Sequence, residues 1–189
     1  MFLEHKYTID DLVKRCKANE RKAQELLYTR FASKMLGVCM RYAADRMEAE
    51  DMLQNGFIRV FKKIQDYRGD GSFEGWVRRI MVHSSIEYYR KHHKMLSVAD
   101  LEDTGKEPSV NAVAVANLDA NDLMVLIQRL SPGYRMVFNL YAVEGYSHKE
   151  IGEIMGISEG ASKSQLSRAR GILKEQITQS NGKRYEHAG

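Results

Sequence analysis

Leu130-Ser-Pro-Gly-Tyr-Arg135, then Gly145-Tyr-Ser-His-Lys-Glu-Ile-Gly-Glu-Ile-Met-Gly-Ile-Ser158, then Lys163-Ser-Gln-Leu-Ser-Arg-Ala-Arg170: this stretch carries its own helix punctuation. Ser131 is placed to cap a helix with Pro132 in its first turn, and Gly145 to end it. Ser147-His148-Lys149-Glu150 has capping-box spacing, in which the Ser hydroxyl accepts from the Glu150 amide and the carboxylate accepts from the Ser147 amide. Ile151, Ile154 and Met155 form an apolar stripe, Gly156 supplies a tight turn, and Ser158 caps a further helix. On that helix Ser162, Leu166, Ala169 and Leu173 recur at helical spacing and are expected to face inward. Lys163, Ser164, Ser167 and Arg168 share the opposite side. The pattern is a helix-turn-helix, and a helix showing Lys, Ser and Arg outward suits a major groove, where Lys and Arg reach guanine edges or phosphates. The plainer alternative is a helical hairpin with a solvated basic face. Three caps at the spacing the motif requires favour the former. Many regulators carry such a motif, so by itself it points to DNA and no further.

At 189 residues the chain is long enough for one large or two small domains with real cores. Its net charge of +4 hides an uneven distribution. Residues 1–94 hold 19 Lys and Arg against 13 Asp and Glu, residues 95–124 hold 1 against 6, and residues 125–189 hold 9 against 6. Two basic blocks flank an acidic one, and basic blocks suit polyanionic partners. Cys16 and Cys39 form no CxxC, and their spacing to His83, His92 or His93 is irregular for a zinc site. No metal, cofactor or small-molecule substrate is expected. The N-terminus lacks a charged segment followed by an apolar one, and no run approaches 18 apolar residues. The expectation is a soluble, cytoplasmic chain without a membrane span.

Helical periodicity dominates elsewhere. Ala23, Leu26, Leu27, Phe31, Met35, Val38 and Tyr42 follow one stripe, and Ala49, Met52, Leu53, Phe57, Val60, Phe61 and Ile64 follow a second. Asp45 is placed to cap the second. A turn is expected at Tyr67-Arg-Gly-Asp-Gly-Ser72, where two glycines relax the backbone. Ser72 then caps a helix carrying Phe73, Trp76, Val77, Ile80 and Met81 inward and ending in Tyr88-Tyr-Arg-Lys-His-His-Lys94. The resulting fold class is all-α: two small helical domains, 1–94 and 119–178, joined by an acidic flexible linker at 95–118, with a polar, frayed tail at 179–189.

Two signatures coincide in this chain. Glu48-Ala-Glu-Asp-Met-Leu-Gln-Asn-Gly-Phe-Ile-Arg-Val-Phe61, followed by Tyr67-Arg-Gly-Asp-Gly-Ser-Phe-Glu-Gly-Trp-Val-Arg-Arg-Ile80, resembles region 2 of bacterial sigma factors. The helix-turn-helix resembles their region 4. With both regions over residues 20–177 and a short linker between, the chain resembles an extracytoplasmic-function (group IV) sigma factor. The resemblance implies a non-catalytic subunit that joins core RNA polymerase, reads promoter DNA, and answers to an anti-sigma factor.

The same resemblance distributes roles. Asp51, Gln54, Asn55 and Arg59 match the surface that binds the clamp helices of the largest polymerase subunit, although many relatives carry Glu where Asn55 stands. The loop Arg68, Gly69, Asp70, Gly71 and Ser72 matches the segment that holds a base extruded from the minus-ten element, a task needing a pliable loop and an aromatic or apolar wall. Arg78, Arg79, His83, Arg90 and Lys91 would line a track for the strand's backbone. His83 stands where relatives commonly have Asn. Trp76 is expected in the core rather than as a stacking platform, and Tyr88 and Tyr89 either stack on bases or pack. Lys163, Ser164, Gln165, Ser167 and Arg168 match the minus-thirty-five readers, with Arg135 and Lys149 as phosphate contacts. Ser162 and Gln165 depart from the frequent Val and Arg. An inward Ser gives up about 1 kcal/mol of apolar burial, and Gln165 suits adenine where Arg suits guanine. The acidic linker would thread a basic polymerase channel, or serve only as a solvated spacer.

Two rivals come from other classes. A stand-alone helix-turn-helix regulator would need its own sensing domain, and no alternating strands with acidic ends precede the motif. A nucleic-acid enzyme would need a metal or phosphate motif, and no HExxH, P-loop or ligand-spaced carboxylate cluster occurs.

Overall fold

The computed structural model describes residues 7–93 and 120–186. The expected linker at 95–118 lies outside the described residues. The chain gathers into two compact units, Met1–Tyr88 and Tyr89–Gly189. All regular structure among the described residues is helical, as the sequence pattern indicates.

The first unit contains α1 (Ile9–Lys17), α2 (Arg21–Met40), α3 (Arg46–Lys63), a 3-10 turn at Ile64–Asp66, and α4 (Phe73–His93) as far as Tyr88. The inward stripes meet in one core. Leu27, Phe31, Met35 and Val38 of α2 are buried with Met52, Leu53, Phe57 and Val60 of α3 and with Phe73, Val77 and Met81 of α4. Each large apolar side chain so buried stabilises by about 1.5–3 kcal/mol, and that burial holds the polar faces outward. α3 and α4 approach closely because Gly56 leaves space for Met81, whose sulfur a Cβ at Gly56 would overlap. Asp45 caps α3, its carboxylate accepting from the Glu48 amide at 2.9 Å. Ser72 caps α4 by accepting from the Gly75 amide at 3.1 Å.

α1 falls outside the stripes read from the sequence. It is a one-face helix, with Leu12, Val13 and Cys16 buried and a capping box of Thr8 and Asp11 at its start. Trp76 and Ile80 differ from the expected core positions: both are half-buried. Trp76 packs at the rim of an aromatic cluster, its ring 5.5 Å from Tyr67 and 5.6 Å from Phe73.

The second unit contains α5 (Ala120–Gln128), α6 (Pro132–Ala142), α7 (His148–Met155) and α8 (Glu159–Glu186). Leu126, Ile127 and Leu130 pack on Ala169, Leu173 and Ile177 of α8. Ser131 occupies the cap position of α6 with Pro132 behind it, yet its side chain makes no capping bond. The helix ends at Ala142, before Gly145, whose φ of 78° serves the following turn. The backbone of α8 is helical to Glu186, and the last three residues of the expected polar tail lie outside the described residues. The helix is free of proline, and each added residue of a formed helix gains a backbone bond at no new nucleation cost.

Candidate nucleic-acid interface

From Ser147 to Ser158 the expected punctuation is present bond by bond. Glu150 Oε2 accepts from the Ser147 amide at 2.8 Å and from its hydroxyl at 2.7 Å. These bonds hold the Glu150 carboxyl below its ordinary value of 4.5. Gly156 ends α7 in the left-handed conformation, φ 71°. The Gly152 carbonyl accepts from the Gly156 and Ile157 amides at 2.8 and 3.1 Å, folding the turn back on the helix. Ser158 then caps α8, accepting from the Ala161 amide at 3.0 Å.

The turn presents α8 with Ser162, Leu166, Ala169 and Leu173 inward, all buried. Ser162 does more than lose apolar area. Its hydroxyl lies 2.9 Å from His148 Nδ1 on α7, and the His148 ring stacks on Tyr141 at 4.5 Å. A hydrogen bond therefore links the two helices of the motif where an apolar pair would otherwise pack.

Lys163, Ser164 and Lys149 are exposed, whereas Gln165, Ser167 and Arg168 are half-buried. Lys163 Nζ is 2.7 Å from Glu159 one turn earlier. That hydrogen-bonded ammonium depresses the Glu159 carboxyl pKa. Arg168 Nη1 donates to the Tyr134 hydroxyl at 3.3 Å, which steadies the guanidinium along α8.

Arg135 requires a correction. It was expected to contact a phosphate, but it is 3% exposed. Its Nη1 donates to the Gln128 carbonyl at 2.7 Å and the Leu130 carbonyl at 3.4 Å. The first belongs to the last residue of α5 and the second lies two residues beyond it, where a cation satisfies orphan acceptors and the negative end of the helix dipole. The guanidinium joins two helices and does not reach the surface.

In the first unit the loop residues Arg68, Gly69, Asp70, Gly71 and Ser72 are all exposed. Gly69 and Gly71 have φ of 87° and 93°, so the loop uses backbone shapes that other residues rarely adopt. Along α4, Arg79, His83, Arg90 and Lys91 are exposed and Arg78 is half-buried. Arg79, His83 and Arg90 fall on one face by helical spacing. Tyr88 and Tyr89 are half-buried.

On α3, Asp51, Gln54 and Asn55 are exposed. Asn55 Nδ2 donates to the Asp51 carbonyl of its own helix at 2.9 Å. Arg59 is half-buried and paired with Glu87 of α4. Hydrogen bonding within that pair raises the Arg59 pKa and lowers that of Glu87. Two residues absent from the expected set belong to this face: Met47 is 73% exposed and Ile58 52%. With Asp51 and Gln54 they recur at i, i+4, i+7 and i+11, a stripe opposite the core. Their signal in the sequence is apolar residues lying off the inward stripe.

Among the described residues no three His, Cys, Asp or Glu side chains gather as a metal site, and no helix is long and apolar enough to cross a membrane. Cys16 and Cys39 are buried, and burial pushes both thiols up to about 11.

The fold and these surfaces define a two-part helical protein with a DNA-binding helix-turn-helix. Residues 27–95 match Sigma-70 region 2, and residues 120–173 match Sigma-70, region 4. The chain belongs to the sigma-70 family of RNA polymerase sigma factors, in the extracytoplasmic-function group. It is 28% identical over 155 residues to the ECF RNA polymerase sigma factor SigE of Mycolicibacterium smegmatis, covering 80% of this chain and 60% of that protein. It is 25% identical over 177 residues to the RNA polymerase sigma-H factor of Pseudomonas aeruginosa, covering 88% and 92%. A solved structure of the sigma factor RpoE with the anti-sigma factor NepR from Bartonella quintana aligns with a TM-score of 0.48 and 19% identity, over 82% of this chain and 96% of that one.

Proposed function

We propose that the chain is a non-catalytic, cytoplasmic subunit that joins core RNA polymerase and directs promoter-specific initiation. The outward face of α3, with Asp51, Gln54, Asn55 and Arg59, docks on the polymerase. The loop Arg68–Ser72 and the basic face of α4 hold the opened minus-ten strand, and Lys163, Ser164, Gln165, Ser167 and Arg168 of α8 read the minus-thirty-five element. Domain limits of 1–94 and 119–178, with the acidic segment between as spacer, belong to the same proposal, as does reversible inhibition by an anti-sigma factor.

The observation that carries it is the presence of regions 2 and 4 of one family, in order, on one chain. Chemistry supports it: an exposed glycine loop beside a basic helix face suits an unpaired strand, and a capped helix with outward Lys and Ser suits a groove. The test is reconstituted transcription with purified core enzyme. Asp51→Ala is expected to lower core affinity. Lys163→Ala and Arg168→Ala are expected to weaken promoter occupancy by the holoenzyme, the salt slope falling by about one for each lost phosphate contact. Start-site choice that ignores the added chain would sink the proposal.

A further inference from the structure

The loop Arg68–Ser72 has two residues in the left-handed region and would wander in isolation. Here it is tied from behind. Tyr67, 9% exposed, stands at the point where the chain enters the loop. Its hydroxyl donates across the loop to the Gly71 carbonyl at 2.8 Å. Its own carbonyl accepts from Lys17 Nζ at 2.7 Å, at the end of α1. Gln65 Nε2 returns the link, donating to the Lys17 carbonyl at 2.6 Å. The Tyr67 ring is packed edge-on to Phe73 at 5.1 Å and 80°, so the hydroxyl has little freedom to turn away. α1 is itself anchored by its buried face, its Thr8–Asp11 box and the Arg15–Glu20 ion pair.

A continuous chain of bonds thus runs from the first helix to the second glycine of the loop. We propose that Lys17 and Tyr67 are positioning residues for minus-ten recognition: they preset the loop's shape, so that its ordering is completed before the strand arrives. This rests on the reading of the loop as the minus-ten surface. A loop left free would have to lose its conformational entropy on binding, and affinity would fall by that amount. α1, which makes no use of the residues assigned to DNA, acquires a function as the loop's abutment.

The experiment uses holoenzyme reconstituted from the full chain and core polymerase. It measures affinity for a single-stranded oligonucleotide carrying the non-template minus-ten sequence, alongside core affinity and thermal midpoint of the free chain. Tyr67→Phe removes the hydroxyl and keeps the ring. It is expected to weaken oligonucleotide binding by about threefold to tenfold, the range for one net hydrogen bond, with core affinity unchanged and the midpoint lowered by no more than the few degrees that one such bond accounts for. Lys17→Met is expected to behave likewise, and Lys17→Arg, which can still donate to the Tyr67 carbonyl, to recover most of the loss. Wild-type affinity in Tyr67→Phe, equal losses of core and oligonucleotide binding, or no difference between Lys17→Met and Lys17→Arg would each overturn the brace. Failure of the unsubstituted holoenzyme to bind the oligonucleotide would instead overturn the reading of the loop on which the brace rests.

Discussion

Gly152→Ala asks whether the helix-turn-helix is packed as closely as its bonds indicate. Gly152 is buried in the middle of α7. A Cβ there would stand 2.8 Å from the Ile157 carbonyl oxygen and 3.6 Å from the Glu159 amide nitrogen. At an open helical site the change would stabilise by about 1 kcal/mol, because alanine gives up less backbone freedom. Here the methyl needs about 0.6 Å more room, and its neighbour is backbone rather than a side chain that can turn aside. Overpacking of this kind costs about 1–3 kcal/mol. The sign therefore reverses, to a net loss of about 1 kcal/mol. For a small helical domain that lowers the melting midpoint by roughly 4–8 °C. Relief of the clash displaces Ile157 and with it the first turn of α8, so occupancy that depends on the minus-thirty-five element should fall further than stability alone requires. Differential scanning calorimetry of the full chain, with footprinting of the holoenzyme on a promoter lacking or retaining that element, reads both. An unchanged or raised midpoint would refute the argument, since it would show the turn relaxing at no cost.

The Ser162–His148 bond should appear as coupling: Ser162→Ala is expected to cost about 1 kcal/mol alone and little once His148 is already Phe, measured by chemical unfolding of all four variants in a double-mutant cycle. Arg135→Met keeps most of the volume but abandons the Gln128 and Leu130 carbonyls, and is expected to destabilise by about 1.5–3 kcal/mol, measured by the same unfolding. Its DNA affinity at a temperature where it stays folded should match the parent's, in contrast to Lys163→Ala. The Glu150 carboxyl is held below its ordinary value of 4.5, so its contribution is complete above that value and is lost as pH falls through the depressed one. The stability gap between the parent and Glu150→Ala should accordingly narrow on acidification from about pH 6 to about pH 3, and a constant gap would contradict the capping box.

Elements governed by contacts within four residues were legible in the sequence. Asp45, Ser147 with Glu150, Gly156 and Ser158 each act on a near neighbour, so their spacing alone identifies their role. α1 escaped because it spans only Ile9–Lys17 and its box closes with Asp11 rather than Glu. Arg135 misled for another reason. Whether a long cation points to solvent or to the open end of a neighbouring helix depends on how α5 and α6 pack, and neither helix's own periodicity records that. Trp76 shows the same limit: its place on the inward stripe was readable, its place at the rim of the aromatic cluster was not. The site residues divide alike. Exposure of Asp51, Gln54, the loop and Lys163 followed from the stripes, whereas the partners of Arg59 and Arg168 come from other helices.

Under the proposed function, ion pairing on α8 bears on how a basic reading face avoids gripping every polyanion. Lys163 is paired with Glu159 at the surface of α8. Exposed pairs of this kind contribute little to stability, commonly under about 1 kcal/mol. Their effect lies in exchange. A phosphate that contacts Lys163 must displace a carboxylate already there, so part of the attraction available to any backbone is cancelled before contact. Contacts to base edges are not discounted in that way, because they form only where the groove presents matching donors and acceptors. Weak, solvent-exposed pairs on a recognition helix thus lower non-specific affinity more than specific affinity. For a subunit that has to leave ordinary DNA in order to reach a promoter, the ratio of the two matters more than either affinity alone.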